Sequence, residues 1–112
     1  MEIKKKYKSV VYKRRLLLPE KTVMESFRTG EPLPVCSQIG DEIQYFREYY
    51  KNLQPSVFLS YEREAFHSLD GSDFRVTFDE NILYRRNDIS LGSEIYGHPL
   101  LGKQQTLMEI KT

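Results

Sequence analysis

Charged side chains occupy strand-like segments of this sequence in which apolar ones are expected. Arg63 lies within VFLSYEREAF and Arg75 within FRVTFD, two runs that are otherwise largely apolar, β-branched or aromatic. A desolvated guanidinium is costly unless an anion or water meets it, and its planar N–H groups bind phosphoryl oxygens in pairs. The two arginines therefore predict a site for a strongly negative ligand.

The tripeptide Glu-Ile-Lys occurs twice, at residues 2–4 and 109–111. The pattern is weak in a lysine-rich chain, but both copies lie on predicted strands with the same facing. Carboxylates among cations are explained if they hold a divalent metal, which takes oxygen ligands and bridges phosphate oxygens. Strand alternation could place several cations along the inner face of a curved sheet, where they would form a site for a phosphate chain. These cations are Lys4, Lys13, Arg15, Arg63, Arg75 and Lys111.

The net charge of +1 over 112 residues conceals a strong asymmetry. The first fifteen residues carry seven cations and one carboxylate, a net +6, and the remainder carries −5. Such a cluster signals phosphate in nucleic acid, lipid, nucleotide or polyphosphate, or else a solvated face. The 39% hydrophobic and 29% charged residues are typical of a small globular domain with one core. Cys36 is the only cysteine, so an internal disulfide is excluded.

The elements that must position these side chains follow from hydrophobic periodicity. Alternation predicts strands over about residues 2–18, with Ser9 as the natural break. Helical spacing predicts helices over about 19–29 and 38–52, the second ending near Asn52. From about 56 to 112 the period is two, which predicts antiparallel strands separated at 70–72, at the turn-prone Asp-Glu-Asn of 79–81, and by a glycine-rich loop.

Each predicted strand of the second half has one apolar face and one charged face. Either the charged faces meet bulk water on an ordinary α+β domain, or they line the inside of a curved or closed sheet. Arg63 shares its face with Tyr61 and Ala65, which favours the enclosed arrangement. The predicted class is therefore α+β, with an antiparallel β-sheet forming part of a β-tunnel or barrel with a basic lumen and two helices packed outside.

The other motifs in the sequence give weaker evidence of function. GHPLLGKQ at 97–104 is not a P-loop, because Gln104 follows Lys103 and a strand rather than a helix comes next. His67 and His98 lack partners at ligand spacing and are predicted to be non-catalytic. Stacking of single-stranded nucleic acid on Tyr7 and Tyr12 leaves the carboxylates and the strand arginines unexplained, so no nucleic-acid partner is expected.

Four segments occur in an order that resembles a known family: EIKKKYKSVVYKRR, SYEREAF, FRVTFDENILYRR and LMEIK. Together they are similar to the VTC domain, the polyphosphate-polymerase branch of the triphosphate tunnel metalloenzymes. The resemblance implies a β-tunnel that transfers the terminal phosphoryl group of ATP onto polyphosphate and releases ADP. It also implies a divalent metal, manganese by preference and magnesium as the alternative.

The resemblance assigns roles to individual residues. Lys4, Arg63 and Arg75 would act catalytically, and Glu109 would hold the metal. Glu2 would either join it there or orient Lys4. The implied phosphate-binding set comprises Lys4, Lys13, Arg15, Arg63, Arg75 and Lys111. A tunnel-type triphosphatase and a non-catalytic polyphosphate-binding domain remain open as alternatives.

Against the family pattern, residues 1–112 resemble a single partial tunnel domain. Its unpaired strand edges are expected to promote self-association or instability. The expected partners are ATP, inorganic triphosphate and polyphosphate, bound weakly and without efficient polymerisation. No membrane segment is predicted. The expected location is cytoplasmic, with any membrane association provided by segments outside this sequence.

Overall fold

The computed structural model describes residues 1–51 and 53–112. They contain two helices and antiparallel strands, which confirms the predicted α+β class. The chain divides into two compact units, Met1–Pro55 and Ser56–Thr112. Each unit contains one sheet. The first unit holds the predicted site residues Glu2, Lys4, Lys13 and Arg15, and the second holds Arg63, Arg75, Glu109 and Lys111.

The first unit begins with a β-hairpin. Strands β1 (Glu2–Tyr7) and β2 (Val10–Arg15) pair antiparallel, so the predicted break is confirmed. Lys8 and Ser9 form the turn, with φ values of 45° and 67°. Two successive residues with positive φ fit a two-residue turn whose twist matches the strands. The hairpin register is thereby fixed, and with it the facing of every cation on the two strands.

Two helices follow the hairpin. Helix α1 (Glu20–Thr29) begins after Pro19 and ends at Gly30, whose φ of 78° is the left-handed conformation common at helix ends. Helix α2 (Gln38–Tyr49) is capped by the preceding Ser37, whose hydroxyl accepts a hydrogen bond from the Gly40 N–H at 3.0 Å. The predicted starts are close to those observed. The predicted end of the second helix, Asn52, lies outside the described residues.

The core of the first unit lies on one face of the hairpin. Ile3 is buried against Leu33 and Ile43, the latter from α2. Because side chains alternate along a strand, Glu2 and Lys4 point to the opposite face. The hairpin thus packs on the helical segment through Ile3, and on the same face Arg14 lies 3.6 Å from Glu42 of α2. Its other face carries Glu2, Lys4, Lys13 and Arg15. Partly buried residues packed around this core are Met1, Leu16, Leu18, Ile39 and Phe46.

The second unit is a four-stranded sheet built around one long strand. Strand β3 (Phe58–His67) pairs antiparallel along one edge of β4 (Arg75–Arg85). Strands β5 (His98–Pro99) and β6 (Leu107–Lys111) pair antiparallel with β4 as well, along its other edge. The predicted glycine-rich loop contains β5, and residues 97–104 lead to the strand β6 rather than to a helix, so they do not form a P-loop.

The prediction that residues 79–81 separate two strands was wrong. They lie within β4, where Ser60 pairs with Leu83 but Glu62 pairs with Glu80, so the register shifts by one residue. Asn81 has a φ of 49°, and asparagine tolerates this left-handed conformation better than most residues. The turn-prone residue forms a β-bulge inside a continuous strand.

No closed barrel is found in residues 1–51 and 53–112: the strands form a two-stranded and a four-stranded open sheet. The tunnel and its basic lumen therefore remain proposals, as does self-association through unpaired strand edges. In the same described part of the chain, neither helix combines the length and the apolar character needed to cross a bilayer.

Candidate anion-binding site

Four of the predicted site residues meet on the charged face of the hairpin. The register pairs Glu2 with Arg15 and Lys4 with Lys13, and we call these four residues the hairpin cluster. The Arg15 Nε and Nη2 groups donate to Glu2 Oε2 at 3.0 and 2.9 Å. The Nζ atoms of Lys4 and Lys13 lie 3.9 and 3.8 Å from Glu2 Oε1. Glu2 is therefore the centre of a three-cation cluster.

This surrounding lowers the pKa of Glu2. The hydrogen bond from Arg15 is the largest cause of the lowered pKa. Burial opposes it, and the charges of Lys13, Arg15 and Lys4 each lower the pKa further. Both carboxylate oxygens face cations, which favours the alternative in which Glu2 orients its neighbours over the one in which it binds metal. Lys4 and Lys13 stand directly opposite each other, and an anion between them would relieve their repulsion.

The lowered pKa of Glu2 predicts a pH dependence of stability. Its ordinary pKa is 4.5 and its folded value is lower, so the stabilisation is fully present above the ordinary value and is lost as pH falls through the folded value. Urea denaturation of Glu2→Gln should therefore show a shallower loss of stability than wild type between about pH 5 and pH 3. Glu31→Gln, at an exposed carboxylate of the same unit, is the control and should follow wild type. Parallel wild-type and Glu2→Gln profiles would contradict the prediction.

Four further predicted residues meet in the second unit. Register places Arg75 between His67 of β3 and Lys111 of β6, and Thr77 between Ala65 and Glu109. These side chains line a concave space of about 200 Å³, which we call the sheet pocket. Its lining comprises Arg63, Ala65, Phe66, His67, Arg75, Thr77, Glu109 and Lys111.

Arg63 has a protein partner that the sequence reasoning missed. Its Nε and Nη2 groups donate to the Oδ1 and Oδ2 atoms of Asp79 at 2.6 and 2.7 Å. This hydrogen-bonded pair lowers the pKa of Asp79 and raises that of Arg63. The guanidinium also lies 4.8 Å from the centre of the Tyr61 ring. The anion that pairs with Arg63 is thus Asp79. The sequence contains one indication of this contact, because strand alternation places Asp79 on the same face as Arg75.

The other pocket residues retain capacity for a ligand. Arg75 makes no ion pair within the described residues. Lys111 Nζ lies 3.5 Å from Glu109 Oε1, and both of these side chains are exposed to solvent. The hydroxyl of Thr77 is buried without a hydrogen-bond partner in the described part of the chain. Buried hydroxyls are normally satisfied, so an orphan in a cation-lined pocket points to a missing oxygen or water partner.

A divalent metal fits the sheet pocket only in company with a ligand. Glu109 is its one lining carboxylate, and Asp79, nearby, is paired with Arg63. Residues 1–51 and 53–112 contain no group of three histidine, cysteine, aspartate or glutamate side chains able to hold a metal. Manganese and magnesium commonly bind through one or two carboxylates with phosphate oxygens and water, and Glu109 suits that mode.

A larger groove of about 640 Å³ lies beside the β-bulge. Its lining includes the carboxylates Glu62 and Glu80 and a single cation, Lys103. Glu62 accepts a hydrogen bond from Asn81 at 2.8 Å, and Glu80 accepts one from Thr106 at 2.9 Å. A groove with more carboxylates than cations suits a phosphate chain less well than the sheet pocket, despite its size.

Arg85 is a second arginine whose role the sequence did not reveal. It is 1% exposed, and its guanidinium lies 3.6 Å from the centre of the Phe58 ring and 4.1 Å from that of Tyr96. It donates to the backbone carbonyls of Asp88, Glu94 and Tyr96 at 2.7–3.1 Å. Arg85 therefore holds the segment after β4 in place, and its burial keeps it from contact with a ligand.

An α+β fold that groups cations on the hairpin and in the sheet pocket defines a class of protein suited to polyanions. Comparison with family models gives the assignment within that class: the model described as "VTC domain" matches residues 1–112. The chain belongs to the VTC domain family. No curated protein and no solved structure matches it. Membership in this family is consistent with a polyphosphate-related role.

Proposed function

We propose that this chain acts in polyphosphate synthesis, as a polyphosphate-polymerase domain of the VTC family. In the proposed reaction the bond between the β- and γ-phosphates of ATP breaks, and a new phosphoanhydride bond forms with the end of a polyphosphate chain. ADP is the leaving group. The substrates are ATP and polyphosphate, and inorganic triphosphate serves as a minimal ligand.

The observation that carries the proposal is the sheet pocket. Arg63, Arg75 and Lys111 line it together with one carboxylate and one unsatisfied hydroxyl. Phosphoryl transfer depends mainly on positioning and on stabilising negative charge, and guanidinium and ammonium groups supply both. A volume of about 200 Å³ suits a short run of phosphates better than a bulky organic ligand.

The proposed roles follow the two groups of residues. In the sheet pocket, Arg63 and Arg75 contact the transferred phosphoryl group and Lys111 adds charge. On the hairpin, Lys4 is the proposed catalytic contact, while Lys13 and Arg15 bind further phosphates and Glu2 keeps the three cations in position. Glu109 would hold the manganese or magnesium ion, which when bound neutralises phosphate charge.

Two alternatives use the same residues. A triphosphatase would transfer the phosphoryl group to water, and a binding-only domain would hold polyphosphate without turnover. Analysis of products from any preparation that consumes ATP separates them, because a polymerase lengthens polyphosphate whereas a hydrolase releases phosphate. The single cysteine and the use of ATP favour the cytoplasm as the compartment.

Calorimetric titration of the purified chain with ATP and inorganic triphosphate, with and without manganese, tests the proposal. We expect weak, saturable triphosphate binding that manganese strengthens. Glu109→Gln should retain metal-free binding, because it removes no cation, and should lose the strengthening by manganese.

The matched control for this variant is Glu64→Gln, which changes an exposed carboxylate of β3 on the opposite face. It should respond to manganese as wild type does. Equal manganese dependence in the Glu109→Gln variant and wild type would remove Glu109 from the metal site. Absence of triphosphate binding in wild type would contradict the proposed function itself.

A further inference from the structure

We infer that Asp79 is a positioning residue that fixes the orientation of the Arg63 guanidinium toward the sheet pocket. The inference rests on the proposed function, in which Arg63 contacts phosphate. It assigns a carboxylate to an anion-binding site, where a negative charge would ordinarily weaken binding.

The geometry of the pair supports a positioning role. Arg63 and Asp79 are directly opposite each other in the β3–β4 register. The side chain of Asp79 is 7% exposed, whereas that of Arg63 is 37% exposed. The two parallel N–H···O bonds fix both the distance and the plane of the guanidinium, and the Tyr61 ring restricts it further.

The pairing leaves part of the guanidinium available. Arginine has five N–H donors, and Asp79 receives one from Nε and one from Nη2. The remaining N–H groups, on Nη1 and Nη2, belong to a partly exposed side chain that lines the pocket. Arg63 can therefore hold Asp79 along one edge and donate to a phosphate oxygen along another.

The pair also divides the work among the pocket cations. Because Arg63 and Asp79 neutralise each other, their pair adds little net charge to the pocket. The long-range attraction of a polyanion then depends on Arg75 and on Lys111, whose partner Glu109 is exposed and shared with solvent. Arg63 contributes directed hydrogen bonds, while Arg75 contributes charge as well.

Replacing Asp79 by asparagine separates positioning from simple electrostatics. If Asp79 acts only as a nearby negative charge, Asp79→Asn should tighten the binding of inorganic triphosphate. If it positions Arg63, the loss of the bidentate pair should free the guanidinium and weaken binding by about tenfold, because asparagine offers one acceptor oxygen where aspartate offers two. Asp73→Asn removes an exposed aspartate just before β4 and is the charge-matched control.

The measurement is calorimetric titration of inorganic triphosphate into wild type and the variants Asp79→Asn, Asp73→Asn, Arg63→Gln and Arg63→Gln/Asp79→Asn. Circular dichroism identifies the folded fraction. Positioning requires that the double variant bind no more weakly than Arg63→Gln alone, because Asp79 acts through Arg63. Unchanged or tighter binding by Asp79→Asn would overturn the inference, as would additive losses in the double variant.

A second readout does not depend on ligand binding. The Nε–H signal of Arg63 in ¹⁵N NMR should be protected from exchange in wild type and lose that protection in Asp79→Asn, but not in Asp73→Asn. If wild type binds no triphosphate, the proposed function fails and this signal decides whether Asp79 orders Arg63. An unprotected wild-type signal would overturn the positioning role.

Discussion

Arg85→Met is expected to lower the free energy of unfolding by about 3–5 kcal/mol. The variant retains an apolar stem between the rings of Phe58 and Tyr96 but removes every N–H donor. Three backbone carbonyls, those of Asp88, Glu94 and Tyr96, then lose the charged group that they share. Urea denaturation followed by circular dichroism measures the change.

The neighbouring arginine provides the control. Arg86 is exposed, so Arg86→Met should change the free energy of unfolding by less than about 0.5 kcal/mol. Arg85→Lys should also destabilise the chain, because an ammonium group cannot stack between two rings and reach carbonyls on several residues at once. Comparable effects of Arg85→Met and Arg86→Met would show that the buried contacts contribute little.

Arg75→Gln is expected to weaken the binding of inorganic triphosphate by about 10- to 100-fold. Arg75 lies at the middle of the His67, Arg75 and Lys111 register and has no ion pair in the described part of the chain. Its guanidinium is therefore available to a ligand at no cost of breaking an existing pair. Calorimetric titration at fixed ionic strength measures the loss.

A charge-matched variant distinguishes a specific contact from a general effect of net charge. Arg86→Gln removes the same charge just past the opposite end of β4, and it should leave triphosphate affinity within about twofold of wild type. If Arg75→Gln and Arg86→Gln weaken binding equally, the attraction is diffuse and the sheet pocket is not the binding site.

Local signals in the sequence predicted the elements well. Pro19 precedes α1 and Gly30 follows it. The cap of α2 by Ser37 is a further local signal, which the prediction did not use. Alternation also assigned the faces of β4 and β6 correctly near the pocket, where Arg75 and Lys111 pair across the sheet. These features depend on a few neighbouring residues, and such information is present in a single sequence.

Local sequence signals do not predict which residues of neighbouring strands lie opposite each other. Arg63 and Asp79 meet because the turn after β3 and the register of β3 against β4 bring them opposite each other. Neither the turn length nor the bulge at Asn81 follows from periodicity, and a turn-prone asparagine predicts a chain reversal as readily as a bulge. The sequence could therefore indicate that Arg63 needs an anion but could not identify Asp79 as that anion.

The bulge at Asn81 changes which residues of β4 point to each face of the sheet. Before Asn81, the odd-numbered residues Arg75, Thr77 and Asp79 point to the face of the sheet that carries Arg63. Beyond Asn81 the register has moved by one residue. Tyr84 therefore points to the face that carries Arg63, and Arg85 points to the opposite face. Two arginines ten positions apart would share a face in a regular strand. One inserted residue places Arg75, the proposed ligand contact, and the buried Arg85 on opposite faces, so removing Asn81 would exchange the facing of Tyr84 and Arg85.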